Sequence, residues 1–174
     1  VWDMIPSLKK VEPAEGVTVV EAMPEVTFVE SQMPGWYRIT LDGNCKVEAA
    51  DEDGAFYAKV TIDNLRRNAG GNELPNLVIE DWPDLGYRGL MLDISRNFTT
   101  KDNILKLIDL LAHYKVSVFH LHFGDDEGWR LDIEKFPELT AYGAHHAFPE
   151  KNAEGEYIET EYLIPSYNGS VDPS

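Results

Sequence analysis

The stretch from Gly89 to Phe123 constrains this chain more than any other. Gly89-Leu90-Met91-Leu92-Asp93-Ile94-Ser95 is a nearly continuous apolar run, the pattern of a strand covered on both faces. Ile104, Leu105, Leu107, Ile108, Leu111 and Tyr114 then recur at helical spacing. Thr99 or Thr100 caps that helix, and Asp102 stands three residues after Thr99 in a capping-box arrangement. Val116-Ser117-Val118-Phe119-His120-Leu121-His122-Phe123 returns to a second strand expected to be buried. Strand, helix and strand in so short a span read as a βαβ unit, which implies parallel strands and a right-handed crossover. Pro137 opens another short helix, to Tyr142, with Gly143 behind it. From His145 on, a loop with a hairpin is expected.

Two parallel strands leave both sheet edges open and one helix face uncovered. A closed (β/α)8 barrel takes roughly 250 residues, and the chain has 174. The second part, 85–174, therefore reads as the beginning of a larger α/β domain, and the chain as a fragment.

The first part, 1–84, has a different rhythm. Val17 to Val20, Val26 to Val29, Trp36 to Leu41, Cys45 to Ala49 and Leu77 to Ile79 are β-branched or aromatic runs. Pro24, Pro34-Gly35 and the hairpin-like Asp42-Gly43-Asn44 separate them. A helix is expected from about Ala55 to Arg67, stopped by Asn68-Ala69-Gly70-Gly71-Asn72. Asp51-Glu52-Asp53 reads as a solvated turn. The pattern is a small α+β domain.

Charge and cysteine content narrow the function classes. With 31 acidic against 15 basic residues the net charge is −16, which repels a phosphate backbone and argues against nucleic acid. The one cysteine, Cys45, excludes an internal disulfide and a multi-thiolate metal site. No run approaches the ~18 apolar residues of a membrane span.

In parallel α/β folds ligands bind at the carboxyl ends of strands. Arg96 follows the first strand, and Gly124-Asp125-Asp126-Glu127-Gly128-Trp129-Arg130 follows the second. An arginine beside carboxylates offers forked donors and acceptors for sugar hydroxyls or a carboxylate. The alternative is an Arg96–Asp125 ion pair that only holds the loop. His120 and His122 point to one face of their strand, as in half of a His-x-His metal site or as two packed histidines. His145-His146 reads as surface, Trp129 with Leu131 and Ile133 as core, and Arg88 with Asp93 as a structural pair.

Tyr87-Arg88-Gly89-Leu90-Met91-Leu92-Asp93-Ile94-Ser95-Arg96 resembles the opening strand of family 20 glycoside hydrolases, the β-N-acetylhexosaminidases. His120-Leu121-His122-Phe123-Gly124-Asp125-Asp126-Glu127-Gly128-Trp129-Arg130 resembles that family's second-strand motif, with Leu121, Gly124 and Glu127 departing from its usual Trp, Thr and Gln. Phe136-Pro137-Glu138-Leu139-Thr140 continues the likeness at the family's spacing. The first part is similar, more weakly, to the family's small α+β domain, shortened between Glu21 and Met33.

The resemblance implies a small α+β domain followed by the first βαβ unit of a (β/α)8 TIM barrel. It implies a parent enzyme that removes terminal N-acetylhexosamine from glycans by a substrate-assisted, retaining mechanism without cofactor or metal. In that family the substrate's acetamide oxygen attacks the anomeric carbon, and an adjacent Asp-Glu pair orients the acetamide and protonates the leaving group. The pair lies in a His-x-Gly-Gly-Asp-Glu stretch, which this sequence lacks, so this chain alone is expected to be inactive. Arg96 matches the arginine that grips hydroxyls of the terminal sugar. Asp125 matches an aspartate that supports the catalytic acid through a later histidine. Arg88, His120, His122, Asp126 and Trp129 match positions of mainly structural role. The same likeness points to a secreted or periplasmic protein, and exposed barrel edges imply self-association of the isolated chain. Two other readings stay open, an inactive carbohydrate-binding relative and a metal-dependent barrel hydrolase using His120 and His122.

Overall fold

The computed structural model of the chain describes residues 4–30, 33–125, 128–144 and 150–158. Its contacts group into two units. One holds the residues up to Arg88 together with Leu111–Ser117, and the other holds Gly89–Leu110 and the residues from Val118 on.

The first unit is a five-stranded sheet in the order β1-β5-β3-β4-β2. Its strands are β1 (Lys10–Val19), β2 (Val26–Phe28), β3 (Tyr37–Leu41), β4 (Cys45–Ala49) and β5 (Glu73–Asp81). All pairings are antiparallel except that of β2 with β4. Alternation places Tyr37, Ile39, Leu41, Val47, Ala49, Leu77 and Ile79 on the buried face. β1 begins seven residues before the expected Val17. It tolerates Pro13 because it is an edge strand, and its register shifts between Pro13 and Val17.

Helix α1 (Glu52–Ala69) covers that face with Tyr57, Ala58, Thr61, Ile62 and Leu65, a stripe at three- and four-residue spacing. The helix starts earlier than the apolar pattern predicts, because Asp51 is its N-cap and not part of a solvated turn. The Asp51 carboxylate accepts from Gly54 N at 2.8 Å and from Gly35 N at 2.9 Å. Gly54 is required there, since a Cβ would lie 2.3 Å from the Trp36 carbonyl oxygen. At the other end Gly70 takes a left-handed φ of 72° and closes the helix, as expected from its sequence.

The second unit carries the βαβ segment. Strands β6 (Gly89–Asp93) and β7 (Val118–His122) pair in parallel, with Asp93 opposite His122 at their carboxyl ends. Between them runs α2 (Lys101–His113), whose first turn is capped by Thr100; its Oγ1 accepts from Asn103 N at 3.4 Å. A short helix α3 (Glu138–Ala141) and a small hairpin of β8 (Glu150–Lys151) and β9 (Tyr157–Ile158) follow.

The expectation that both strands are covered on both faces does not hold for the described residues. Leu90 and Met91 are exposed and no residue of either strand is buried, because among the described residues no layer covers each face of this two-stranded sheet. Leu131 is likewise exposed and Ile133 only half-buried, so the core expected around them is not formed. Trp129 is half-buried, edge-on to Phe123 with ring centres 5.3 Å apart.

Candidate active site

The strand ends of the second unit bring Asp93, Arg96, His122 and Asp125 into one cluster. Asp93 is the last residue of β6, and its Oδ1 accepts from the backbone N–H of Ser95 at 2.9 Å and of Arg96 at 3.1 Å. That local turn folds the chain back so that Arg96 Nη1 reaches Asp93 Oδ2 at 2.9 Å. The same Nη1 lies 2.6 Å from Asp125 Oδ2, which also meets His122 Nε2 at 2.6 Å. Partial burial pushes the Asp93 carboxyl up. Hydrogen bonds from the Arg96 backbone and guanidinium and from Ser95 N–H outweigh it and hold the group below the usual carboxylate range.

Behind this cluster the loop is held by a buried arginine. Arg130 donates to the carbonyls of Ile94 at 3.1 Å, Ser95 at 2.9 Å and Ala144 at 2.7 Å, while its guanidinium lies over the Phe98 ring. Arg130 N–H also donates to Phe123 O at 2.9 Å, and Ser95 Oγ to Gly128 O at 3.0 Å. Only glycine fits at 128, where φ is +74° and a Cβ would stand 2.3 Å from Ser95 O. Gly124 is also tight, since a Cβ there would meet the Trp129 ring at 2.8 Å.

The sequence-derived site residues thus fare differently. Arg96 and Asp125 come together, and the ion pair between them is formed. His122 joins them, whereas His120 is exposed and touches the group only through its ring contact with His122, at 6.3 Å between centres. Among the described residues no three His, Cys, Asp or Glu side chains are grouped to hold a metal ion, and Arg96 lies against the Asp125 carboxylate. Asp126, Glu127, His145 and His146 lie outside the described residues.

Arg88 does not pair with Asp93. It belongs to the first unit, where it donates to Lys115 O at 2.9 Å and Tyr57 OH at 2.6 Å and lies over the Tyr57 ring. Asp93 takes Arg96 instead. The Asp-x-x-Arg spacing at a strand end was the available signal, because an aspartate there accepts from the next backbone N–H groups and faces the residue three on.

A further polar group escaped the sequence reading. In the first unit Lys115 Nζ lies 2.9 Å from Asp81 Oδ2 and 2.8 Å from Tyr37 OH, and that hydroxyl donates to Asp81 at 2.7 Å. These residues form the floor of a cavity of about 230 Å³ walled by Tyr57, Trp82, Pro83 and Leu85. Their hydrogen bonds to one another suit a structural role.

Comparison with known proteins matches the chain in two successive stretches. The model for the catalytic domain of glycosyl hydrolase family 20 matches residues 85–166, and that for domain 2 of the family matches residues 4–82. N,N'-diacetylchitobiase of Vibrio harveyi is 45% identical over 115 residues, covering 66% of this chain and 13% of that protein. A β-hexosaminidase of Vibrio furnissii is 42% identical over 132 residues, covering 75% of this chain and 21% of that protein. The chain therefore spans about a fifth or less of these relatives' length. Among solved structures, a β-N-acetylhexosaminidase superposes with a TM-score of 0.70 at 26% identity, covering 97% of this chain and 38% of that one. The β-N-acetylhexosaminidase of Bacteroides fragilis gives 0.69 at 25% identity, covering 88% of this chain and 39% of that one.

Proposed function

This chain belongs to glycosyl hydrolase family 20, and from that premise we propose that it forms domain 2 and the first βαβ unit of the (β/α)8 barrel of an exo-acting β-N-acetylhexosaminidase. The observation that carries the reading is Arg96, held between Asp93 and Asp125 at the carboxyl ends of two parallel strands, where parallel α/β folds place their ligands. A guanidinium fixed by carboxylates on both sides is oriented before the substrate arrives, so little rotamer entropy is lost on gripping sugar hydroxyls.

On this reading Arg96 binds hydroxyls of the terminal N-acetylhexosamine. Asp125 acts one step back, supporting the catalytic acid through a histidine outside this chain. The acetamide of the substrate supplies the nucleophile, and the Asp-Glu pair that orients it and protonates the leaving group also lies outside the chain. The absence of a His-x-Gly-Gly-Asp-Glu stretch from the sequence supports that division. Exposed Leu90 and Met91 support further barrel elements packing on β6, and association between copies when the chain is alone. The working compartment is periplasmic or extracellular.

The test is hydrolysis of a chromogenic N-acetyl-β-glucosaminide by this chain and by the full-length protein that contains it. Activity is expected only in the full-length protein, and Arg96→Ala should raise KM at least tenfold, the effect of losing a charge-assisted hydrogen bond of roughly 1.5–3 kcal/mol. Turnover by the 174-residue chain itself would overturn the placement of the acid outside it.

A further inference from the structure

We infer that Asp93 is a positioning residue whose carboxylate sets the direction of the Arg96 guanidinium. The inference rests on the proposed sugar-binding role of Arg96 and adds the residue that makes the role possible. Arg96 is a long side chain on the turn after β6, half-exposed and free to rotate about four bonds unless something holds it. Asp93 holds it at two levels. Its Oδ1 accepts the N–H groups of Ser95 and Arg96, which fixes the backbone from which the side chain departs. Its Oδ2 accepts from Nη1, which fixes the other end.

The second carboxylate makes the geometry selective. Asp93 ends β6 and Asp125 follows β7, and the parallel register sets Asp93 opposite His122, three residues before Asp125. Nη1 donates to Asp93 Oδ2 at 2.9 Å and lies 2.6 Å from Asp125 Oδ2, with His122 Nε2 3.3 Å away, so the guanidinium sits between carboxylates from the ends of two different strands. Two anchors on one nitrogen define the plane of the guanidinium, where a single anchor leaves it free to swing about the remaining bond. Asp125 also carries His122 on the same oxygen at 2.6 Å, so its charge is divided between two donors. The carboxylate of Asp93 meets the Arg96 side chain through Oδ2, and through Oδ1 it accepts from the turn that Arg96 stands on.

The experiment uses the full-length protein and N-acetylglucosamine as the probe, with binding measured by calorimetry and turnover measured alongside. Asp93→Asn keeps an oxygen for the turn but removes the charge that Nη1 needs. Asp93→Ser keeps only a hydroxyl acceptor for the turn. Each is expected to weaken sugar binding about tenfold and to raise KM more than it lowers kcat, the signature of lost binding shared by ground and transition states. In an Arg96→Ala background neither should weaken binding further, because Asp93 acts through Arg96.

Additive losses in the double variants would overturn the inference, and so would an Asp93→Asn protein that binds the sugar as well as the wild type while Arg96→Ala does not. Failure of both Asp93 variants to fold would also overturn it, by assigning the residue to the stability of the turn. If Arg96→Ala itself left sugar binding unchanged, the proposed function of Arg96 would be at fault, a result distinct from the others.

Discussion

The Lys115 ammonium and the Asp81 carboxylate meet at 2.9 Å with both side chains more than nine-tenths removed from solvent. Lys115 holds this position from a left-handed backbone conformation, φ 57°, two residues after the end of α2. Tyr37 completes the group, donating to Asp81 and accepting from Lys115, and Thr61 lies 2.6 Å from its hydroxyl. A buried charge is tolerated only when paired and hydrogen-bonded, and here the pair satisfies that condition at the edge of the sheet's core.

Removing one partner should therefore cost far more than removing both. Asp81→Leu is expected to destabilise the protein by about 3–5 kcal/mol, since it leaves a buried ammonium uncompensated. Adding Lys115→Met should recover a large part of that loss. Denaturant midpoints of the two variants check it, and equal midpoints would refute the pairing.

The phenol of Tyr37 sets an alkaline limit. Burial pushes its pKa well above the ordinary value, the Asp81 charge adds to that, and the hydrogen bond with Thr61 pulls it partly back. The folded state keeps a proton that the unfolded state loses at about pH 10. The Tyr37 contribution is therefore complete below about pH 10 and declines as pH rises above it. The stability gap between wild type and Tyr37→Phe should shrink from pH 9 to pH 11 on the order of 1 kcal/mol.

Gly128→Ala tests the loop that carries Asp125. The left-handed backbone and a Cβ placed 2.3 Å from Ser95 O should together cost roughly 2 kcal/mol and displace the chain next to the cluster. Sugar binding by the full-length protein is expected to fall with it. An alanine variant with unaltered melting temperature and affinity would show that the loop has another packing.

Arg130→Lys separates charge from shape. A lysine keeps the positive charge but cannot reach the carbonyls of Ile94, Ser95 and Ala144 with one planar fork. The expected loss is about 2–3 kcal/mol, read from thermal or chemical unfolding. A fully stable lysine variant would mean that charge alone holds the loop.

Local pattern makes much of the architecture legible in the sequence. The apolar runs on either side of α2 located β6 and β7, the glycines after Arg67 located the end of α1, and strand polarity put Arg96 and Asp125 at neighbouring ends. Each of these follows from interactions between residues close in sequence or from strand direction. The start of α1 was misread because a capping aspartate and a solvated one look alike until Gly35 and Gly54 are seen to donate to Asp51. The coverage expected of β6 is absent among the described residues, because an apolar run states what a strand tolerates, while burial depends on what packs against it.

By itself the sequence determined the order of strands and helices and the residues offered at the strand ends, because periodicity and turn chemistry act over a few residues. Only the tertiary structure decided which charges meet. The β3–β5 register sets Tyr37 opposite Asp81, and the turn after α2 brings Lys115 to them from 34 residues beyond Asp81. In the same way the parallel pairing of β6 with β7 brings Arg96 to Asp125. The free energy of a charge pair depends on distance and on exclusion of water, and neither is encoded within a short stretch of chain.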